Sequence, residues 1–234
     1  MTKKIFDIVI STIILIFFSP LIFISLIIVF SEDFSNPIYV SRRVGEKFKN
    51  FNLLKIRSMI ANADKSGVNS TSSNDERITR AGRLIRKFKM DEILQLINVL
   101  KGDMSLVGPR PQIPSEVKKY SEFEKKLLSI KPGITDFSSI IFSDEGEILK
   151  DSLDPDKDYD KLIRPWKSKL GVFYINNRNI INDFYLIILT AISIFNRGFT
   201  LLLVSKLLEK LNADDDLILI AKRNTDLDQF NTKK

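Results

Sequence analysis

The chain has 234 residues, with 36 basic and 29 acidic side chains, no histidine and no cysteine. Without these two residue types, disulfides, thiolate metal sites and catalysis by a histidine base or a cysteine nucleophile are excluded. An enzyme of this composition must rely on carboxylate, lysine, tyrosine, serine or threonine side chains, and its natural metal is a hard ion held by oxygen ligands. The net charge of +7 favours anionic partners such as phosphates, nucleotides or anionic lipids.

The first element is an apolar segment. Residues 8–30 are 23 positions without a charge. As a helix they would extend about 34 Å, enough to cross a hydrocarbon core of roughly 30 Å. The run is too long for a signal peptide, and no small-residue cleavage site follows it. The segment is therefore predicted to be a membrane anchor.

Two features bear on the topology of this anchor. Ser19-Pro20 lies at its centre, where proline removes a backbone hydrogen bond, and both flanks are basic. These flanking charges are Lys3 and Lys4 before the run, and Arg42, Arg43, Lys47 and Lys49 after it. A kinked single span and a hairpin of two half-helices of about 17 Å both remain open, and these arguments alone favour the span slightly. In both cases the heavier positive flank places the rest of the chain in the cytoplasm.

Beyond the anchor the pattern predicts short strands at 38–40 and 51–56 and a flexible polar loop over 62–74. A helix is predicted from Asp75, with arginines at every third position from Arg77 to Arg86. A second helix is predicted over about 91–101, ended by Gly102. An acidic loop at 144–160, an apolar helix at 184–195 that suits a core or a membrane interface, and a polar tail of about twenty residues complete the chain.

The strongest candidate for chemistry is the adjacent pair Asp91-Glu92. Two neighbouring carboxylates can divide the work, one as a nucleophile and the other as a magnesium ligand. Such a pair at a helix start more often only caps the helix. Here, however, six basic residues precede it without an intervening acid, and this favours a site where a metal and phosphates meet. The six are Arg77, Arg80, Arg83, Arg86, Lys87 and Lys89. Arg83 and Lys87 are assigned instead to a solvated or lipid-facing basic surface.

Two further elements offer cations. Gly108-Pro109-Arg110-Pro111 predicts a rigid turn that fixes one arginine, whose guanidinium fork matches phosphate oxygens. Lys55 and Arg57 are two apart on a predicted strand, so they are expected on one face as additional phosphate contacts.

These residues carry a resemblance to a known family. The string DEILQLINVLKGDMSLVGPRP, preceded by DERITRAGRLIRK and by KIRSM at 55–59, resembles the bacterial sugar transferase family, the monotopic polyprenol-phosphate phosphoglycosyl transferases. The resemblance extends over about residues 3–136, from the KKIFD lead-in and the Ser-Pro of the apolar segment onwards.

The resemblance implies a reaction. A phosphosugar would move from a nucleotide-diphosphate sugar, usually a UDP-sugar, to a polyprenol phosphate such as undecaprenyl phosphate, with release of UMP. Asp91 would form a covalent phosphosugar intermediate and Glu92 would hold Mg²⁺. Arg86 and Arg110 would contact phosphates, and Lys55, Arg57, Arg77 and Arg80 are the remaining candidates for phosphate binding.

The resemblance also implies the architecture. The family's membrane segment is a re-entrant hairpin broken at Ser-Pro, here Ser19-Pro20. The resemblance therefore favours the hairpin over the single span. We therefore expect an α+β protein with a re-entrant membrane helix hairpin at 1–36. A small, mostly helical cytoplasmic catalytic domain with short strands and interfacial helices would occupy 37–200, and a helical or polar tail 201–234. The expected location is the cytoplasmic face of the inner membrane, in contact with membrane lipids, and a homo-oligomer is compatible with this picture.

The chain departs from the family pattern at Lys89-Met90, at Leu94 and at Asp136-Phe137. None of these changes removes a catalytic group, but the last one, together with the acidic 144–160 segment, leaves the sugar open. One alternative is an inactive homologue that acts as a membrane scaffold for glycan assembly, against which the intact Asp91 and Glu92 argue. Another is a membrane-tethered nucleic-acid binder, but no aromatic residues interleave the basic stripe, so no nucleic-acid partner is expected.

Overall fold

The computed structural model describes residues 2–223 and 227. The protein is a mixture of helix and strand, mostly helical, as predicted. It divides into two compact units, the first formed by Met1–Ala63 and Glu76–Ile134 and the second by Asp64–Asp75 and Thr135–Lys234. The candidate site residues all belong to the first unit, because the second begins again only at Thr135. The predicted division at residues 36 and 200 stays a prediction.

The first unit opens with α1 (Thr2–Asp33), a single helix with Pro20 inside it. In the described residues it is the only helix whose length and composition would allow it to cross a membrane. Hydrogen-bonded helix continues through Ser19-Pro20, where the sequence predicted a break between two half-helices. Large apolar side chains around this position, such as Ile16 and Phe17, are exposed. The re-entrant topology of α1 stays a prediction.

A two-stranded antiparallel sheet follows α1. The strands β1 (Ile38–Val44) and β2 (Asn50–Ile56) pair from Ile38 opposite Ile56 to Val44 opposite Asn50. Both predicted strands are confirmed, and β1 is four residues longer than expected. Leu53 and Ile56 of β2 are both buried, and the alternation of side chains places Lys55 on the face opposite to Ile56.

The core of the first unit joins this sheet to α1. Its buried apolar residues are Val29, Ile56, Ile85, Met90 and Leu94, with Ile22 and Leu26 of α1 packed against them. The last third of α1 is thus part of the core of the first unit. A helix that served only as a tether would not need to bury side chains in this way.

The predicted helix from Asp75 is wrong at its start. The helix α2 (Arg80–Lys87) begins five residues later, because Ile78 bridges to Met59 and Thr79 accepts a hydrogen bond from Gly82 N as the N-cap. Beyond α2, a 3₁₀ turn (Met90–Glu92) precedes α3 (Gln95–Lys101). Asp91 and Glu92 therefore lie in this turn and not in the helix itself. Gly102 ends α3 with a φ of 84°, as predicted.

The rest of the first unit is short elements around a close backbone contact. They are β3 (Ser105–Val107), α4 (Pro114–Val117), α5 (Glu122–Lys125) and β4 (Gly133–Thr135), with β3 paired to β4. Gly108 and Gly133 lie against each other, and a Cβ on Gly133 would be 2.0 Å from Gly108 N. The turn after β3 is thereby held against the start of β4.

The second unit is helical. Its helices are α6 (Phe137–Ile141), α7 (Glu145–Ile148), α8 (Pro155–Asp158), α9 (Arg164–Asn177), α10 (Ile180–Ser193), α11 (Arg197–Lys210) and α12 (Asp215–Lys222). Trp166, Leu170 and Leu186 are buried in its core, and Tyr174 Oη donates a 2.6 Å hydrogen bond to Asp183.

Three predictions for the second unit have outcomes. The apolar helix at 184–195 is confirmed as α10. The acidic segment at 144–160 was expected to be a loop and instead contains α7 and α8, each opened by acidic residues that suit the helix N-terminus. The polar tail contains α12, whose Leu217 and Ile220 are buried, so its first part is packed; residues 224–226 and 228–234 lie outside the described residues.

A glycine in α2 provides a test of the packing of the first unit. A Cβ on Gly82 would lie 2.0 Å from Ser58 O, so we expect Gly82→Ala to lower the thermal unfolding temperature of the detergent-solubilised protein. At Gly198 in α11 the nearest atom would be 3.9 Å away. Gly198→Ala should therefore leave stability unchanged or raise it by up to about 1 kcal/mol, as alanine does in helices. Equal effects of the two substitutions would contradict the close approach at Gly82.

Candidate active site

The Glu92 carboxylate is the centre of a three-residue ionic cluster. Lys55 Nζ lies 2.9 Å from Glu92 Oε1, and Arg110 Nη2 lies 2.5 Å from the same oxygen, with Nη1 3.3 Å from Oε2. The exposed fractions of the three side chains are 17% for Glu92, 19% for Lys55 and 34% for Arg110. We call these three residues the Glu92 cluster. Their partial burial strengthens the attraction, since less water screens the charges.

Local backbone geometry separates the two neighbouring carboxylates. Lys89 adopts a left-handed conformation, with φ of 54°, at the start of the 3₁₀ turn, and Met90 is buried in the core. This anchoring places Asp91 half-buried beside Glu92. The charges of Lys55, Arg86 and Arg110 all act on Asp91.

The environments of the two carboxylates push their pKa values apart. Burial raises the pKa of Asp91, and the neighbouring negative charge of Glu92 raises it further, against the opposing effect of Lys55 and Arg86. Burial also opposes ionisation of Glu92, but the charges and hydrogen bonds of Arg110 and Lys55 outweigh it and hold the pKa of Glu92 well below its usual range. Glu92 is thus the fixed anion of the pair. Asp91 is the more basic carboxylate, and a more basic carboxylate is the better nucleophile.

Lys55 is itself perturbed by the site. Burial lowers its pKa, and the positive charges of Arg110 and Arg43 lower it further, whereas Glu92 and Asp91 raise it. Arg43 lies on β1, on the same face of the hairpin as Lys55 according to the strand register. Sequence reasoning assigned Arg43 only to the membrane flank. The period-2 alternation of a longer β1 would have been the signal that placed it beside the site.

Arg110 is held by the rigid turn that the sequence predicts. Gly133 N donates a 3.0 Å hydrogen bond to Pro109 O, and Val44 N donates a 2.9 Å hydrogen bond to Gln112 O. The turn is thereby fastened on one side to β4 and on the other to β1. Because Gly108 and Gly133 are in contact, no side chain fits between them. Arg110 therefore meets Glu92 from a backbone that is fixed on both sides.

The other predicted phosphate contacts lie away from Glu92. The Arg57 guanidinium binds Asp33 of α1, although Lys55 two residues earlier binds Glu92. Arg77 donates a hydrogen bond to Ala63 O, and Arg80 is an exposed residue at the start of α2. The structure thus brings together Lys55, Arg86, Asp91, Glu92 and Arg110. A phosphate role for Arg57, Arg77 and Arg80 stays a prediction.

The arrangement suits chemistry on a phosphorylated substrate. A basic carboxylate, a second carboxylate and three or four cations within one cluster can bind phosphate oxygens and attack a phosphorus atom. Among the described residues no group of three or more acidic side chains forms a ready-made metal site. Two adjacent carboxylates do fit Mg²⁺, which is commonly held by one or two carboxylates together with substrate phosphates.

Comparisons with known proteins agree with this chemistry. The family described as "Bacterial sugar transferase" matches residues 1–197. The chain is 35% identical over 210 residues, 83% of its length, to the "Undecaprenyl-phosphate galactose phosphotransferase" of Salmonella typhimurium. It is 31% identical over 176 residues, 73% of its length, to the "UDP-N-acetylgalactosamine-undecaprenyl-phosphate N-acetylgalactosaminephosphotransferase" of Aeromonas hydrophila.

The chain is much shorter than these two relatives, of which the matches cover 40% and 42%. A third relative is closer in size. The "Putative undecaprenyl-phosphate N-acetylgalactosaminyl 1-phosphate transferase" of Bacillus subtilis is 42% identical over 118 residues, which is 50% of this chain and 66% of the relative.

The Glu92 cluster makes a prediction about stability. We expect Lys55→Met to destabilise the protein by about 1–3 kcal/mol, because a charge-assisted hydrogen bond is lost and Glu92 remains partly buried with one cation fewer. Adding Glu92→Gln to the Lys55→Met variant should lower the free energy of unfolding by less than Glu92→Gln does in the wild type, because Glu92 has already lost its Lys55 partner in that variant. Thermal unfolding of the two single variants and the double variant measures this coupling. Strictly additive effects would show that Lys55 and Glu92 do not interact.

Proposed function

The chain belongs to the bacterial sugar transferase family, and on this premise we propose that it transfers a phosphosugar from a UDP-sugar to a polyprenol phosphate. The products are a polyprenyl-diphosphate sugar and UMP. The observation that carries the proposal is the difference between the two neighbouring carboxylates: the pKa of Asp91 is raised, and the pKa of Glu92 is lowered by Lys55 and Arg110. Asp91 is therefore the basic carboxylate and Glu92 the fixed anion. The printed names of the relatives, which include undecaprenyl-phosphate sugar phosphotransferases, support the acceptor and the reaction class.

The proposed mechanism has two displacements at one phosphorus atom. In the first, an Asp91 carboxylate oxygen bonds to the phosphorus that bears the sugar, and the bond from that phosphorus to the bridging oxygen breaks. UMP leaves with the bridging oxygen and the electron pair. In the second, a phosphate oxygen of the polyprenol phosphate bonds to the same phosphorus and the acyl-phosphate bond to Asp91 breaks. The carboxylate is regenerated, and no histidine is required at either step.

Charge neutralisation is the remaining task of the site. Both displacements bring an anion to a phosphorus that is surrounded by negative oxygens, so positioned cations lower the barrier. Arg110, Lys55 and Arg86 supply these charges, with Arg110 offering the fork that fits two phosphate oxygens. Glu92 would hold Mg²⁺, an ion that neutralises diphosphate oxygens when bound. In the structure the two cations of the Glu92 cluster bind the Glu92 carboxylate. We propose that they would turn from Glu92 to the substrate phosphates once Glu92 holds the metal.

The acceptor determines where the protein works. A polyprenol phosphate is confined to a membrane, so the site must lie at its surface. We propose that α1 enters and leaves the cytoplasmic leaflet of the inner membrane and bends at Ser19-Pro20, with the catalytic unit in the cytoplasm. The exposed apolar side chains of α1 and the basic residues on both of its flanks support this placement. The reaction would be the first membrane step in the assembly of a surface glycan or glycoconjugate.

The function is tested at the nucleophile. We expect Asp91→Asn to abolish UMP release in membranes supplied with a panel of UDP-sugars and undecaprenyl phosphate, because an amide cannot form the acyl-phosphate bond. The variant should still be expressed and remain in the membrane fraction. Glu122→Gln, which removes one exposed carboxylate of α5, is the matched control and should retain activity. Undiminished UMP release by Asp91→Asn would refute the mechanism, and an inactive wild-type chain across the whole panel would favour the scaffold.

The topology is tested by labelling. The protein contains no cysteine, so a single cysteine placed before Lys3 reports the side of the membrane without a background. We expect a membrane-impermeant maleimide to leave this cysteine unlabelled in intact cells and to label it after permeabilisation. A cysteine replacing Lys47, an exposed residue of the second basic flank, should behave identically. Labelling of the N-terminal cysteine alone in intact cells would show that α1 crosses the membrane.

A further inference from the structure

The membrane helix carries three acidic residues, and all of them bind elements of the catalytic unit. They are Asp7 near its start and Glu32 and Asp33 at its end. Residues 8–30 of this helix carry no charge. Carboxylates beside such an apolar segment are costly in a membrane environment, so their presence needs a reason. The contacts of each carboxylate supply one.

Asp7 binds the strand that leads into the Arg110 turn. Ser105 Oγ donates a 2.8 Å hydrogen bond to one Asp7 oxygen, and Leu106 N lies 3.4 Å from the other. The Asp7 residue is only 6% exposed. Both donors belong to β3, and Gly108-Pro109-Arg110 follows this strand directly. A buried carboxylate that accepts such bonds fixes the position of the strand relative to α1.

Asp33 binds the end of the strand that carries Lys55. The Arg57 guanidinium faces the Asp33 carboxylate with both terminal nitrogens, one of them 2.6 Å from Oδ1. The same guanidinium lies 3.2 Å from Ser35 O, and the Arg57 residue is 8% exposed. This two-pronged geometry fixes orientation as well as distance. Arg57, expected to bind phosphate, here attaches β2 to the membrane helix.

Glu32 binds the start of the helix that carries Arg86. Its Oε1 accepts hydrogen bonds from Arg80 N at 2.9 Å and from Ala81 N at 3.4 Å, the first two N–H groups of α2. These groups have no partner inside a helix, and a carboxylate there also gains from the positive end of the helix. Arg86 lies in the last turn of the same helix.

We propose that Asp7, Glu32 and Asp33 are positioning residues through which α1 sets the active-site cations. The inference rests on the proposed function. Lys55 reaches the Glu92 carboxylate from β2, and Arg110 reaches it from the turn that follows β3. The strands β2 and β3 are not paired with each other. Those strands are attached to opposite ends of α1, through Asp33 and Asp7. A displacement of either end of the helix is therefore a displacement of one cation relative to Glu92.

A merely structural role predicts something different. If the three carboxylates only help the chain to fold, their loss lowers the fraction of competent enzyme but leaves each competent molecule at the normal rate. If they position the cations, every molecule remains competent and reacts more slowly, because misplacement of a catalytic group by about 1 Å can cost around 100-fold. Amplitude and rate of a single reaction burst separate the two roles.

The experiment uses the full-length protein in lipid nanodiscs with the UDP-sugar that the substrate panel selects and no polyprenol acceptor. Each enzyme molecule then releases one UMP as Asp91 is modified. For Asp7→Asn, Asp33→Asn and Glu32→Gln we expect a burst of wild-type amplitude. The rate constants should fall about 10- to 100-fold for Asp7→Asn and Asp33→Asn, and less for Glu32→Gln, whose contact is exposed. The control Glu122→Gln removes the same charge from the exposed surface of α5 and should keep the wild-type rate.

Ser105→Ala approaches the Asp7 contact from the other side and covers the case in which Asp7→Asn does not fold. It removes one donor and leaves the Asp7 charge in place, so its burst rate should fall by a smaller factor at full amplitude. Wild-type rates in the acidic variants, or reduced amplitudes at the wild-type rate, would overturn the positioning role. A wild-type chain that gives no burst with any UDP-sugar would instead overturn the proposed function, and this inference with it.

Discussion

The structure depends on one partly buried carboxylate that is shared by two cations. Glu92 cannot remain ionised away from water without Lys55 and Arg110, and neither cation can approach the other without Glu92 between them. This requirement brings β2, the 3₁₀ turn and the turn after β3 to one point. Asp91, the preceding residue, feels the charges of the same cations, whereas the hydrogen bonds of Lys55 and Arg110 go to Glu92. Its raised pKa and the lowered pKa of Glu92 have this common origin.

The membrane helix is the second constraint. Val29 of α1 is buried in the core of the first unit, and Ile22 and Leu26 pack against that core. The carboxylates of α1 bind β3, the residue after β2 and the start of α2. An enzyme whose acceptor is a lipid phosphate must hold its nucleophile at a defined depth. In the proposed topology, a site built directly on α1 is held at such a depth without a flexible linker.

The sequence predicts the site better than it predicts its surroundings. The Asp91-Glu92 pair, Arg110 in a rigid turn and Lys55 on a strand follow from residue type and local pattern, and the structure brings them together. The role of Arg57 does not follow, because its partner Asp33 is 24 positions away and only tertiary packing reveals it. The start of α2 is missed since Ile78 pairs with Met59 and overrides a helical pattern of arginines. The role of Asp7 cannot be predicted for the same reason, because its hydrogen-bond donors lie about a hundred residues further along the chain.

The most direct test of the account is the mass of the intact protein. Purified chain in nanodiscs, incubated with Mg²⁺ and a UDP-sugar but no lipid acceptor, should gain the mass of one phosphosugar, and peptide mapping should locate it on Asp91. Addition of undecaprenyl phosphate should return the protein to its original mass as the lipid-linked product appears. Formation of that product without any modified protein, or a modification on Glu92, would contradict the central claim that Asp91 is the nucleophile and Glu92 the fixed anion.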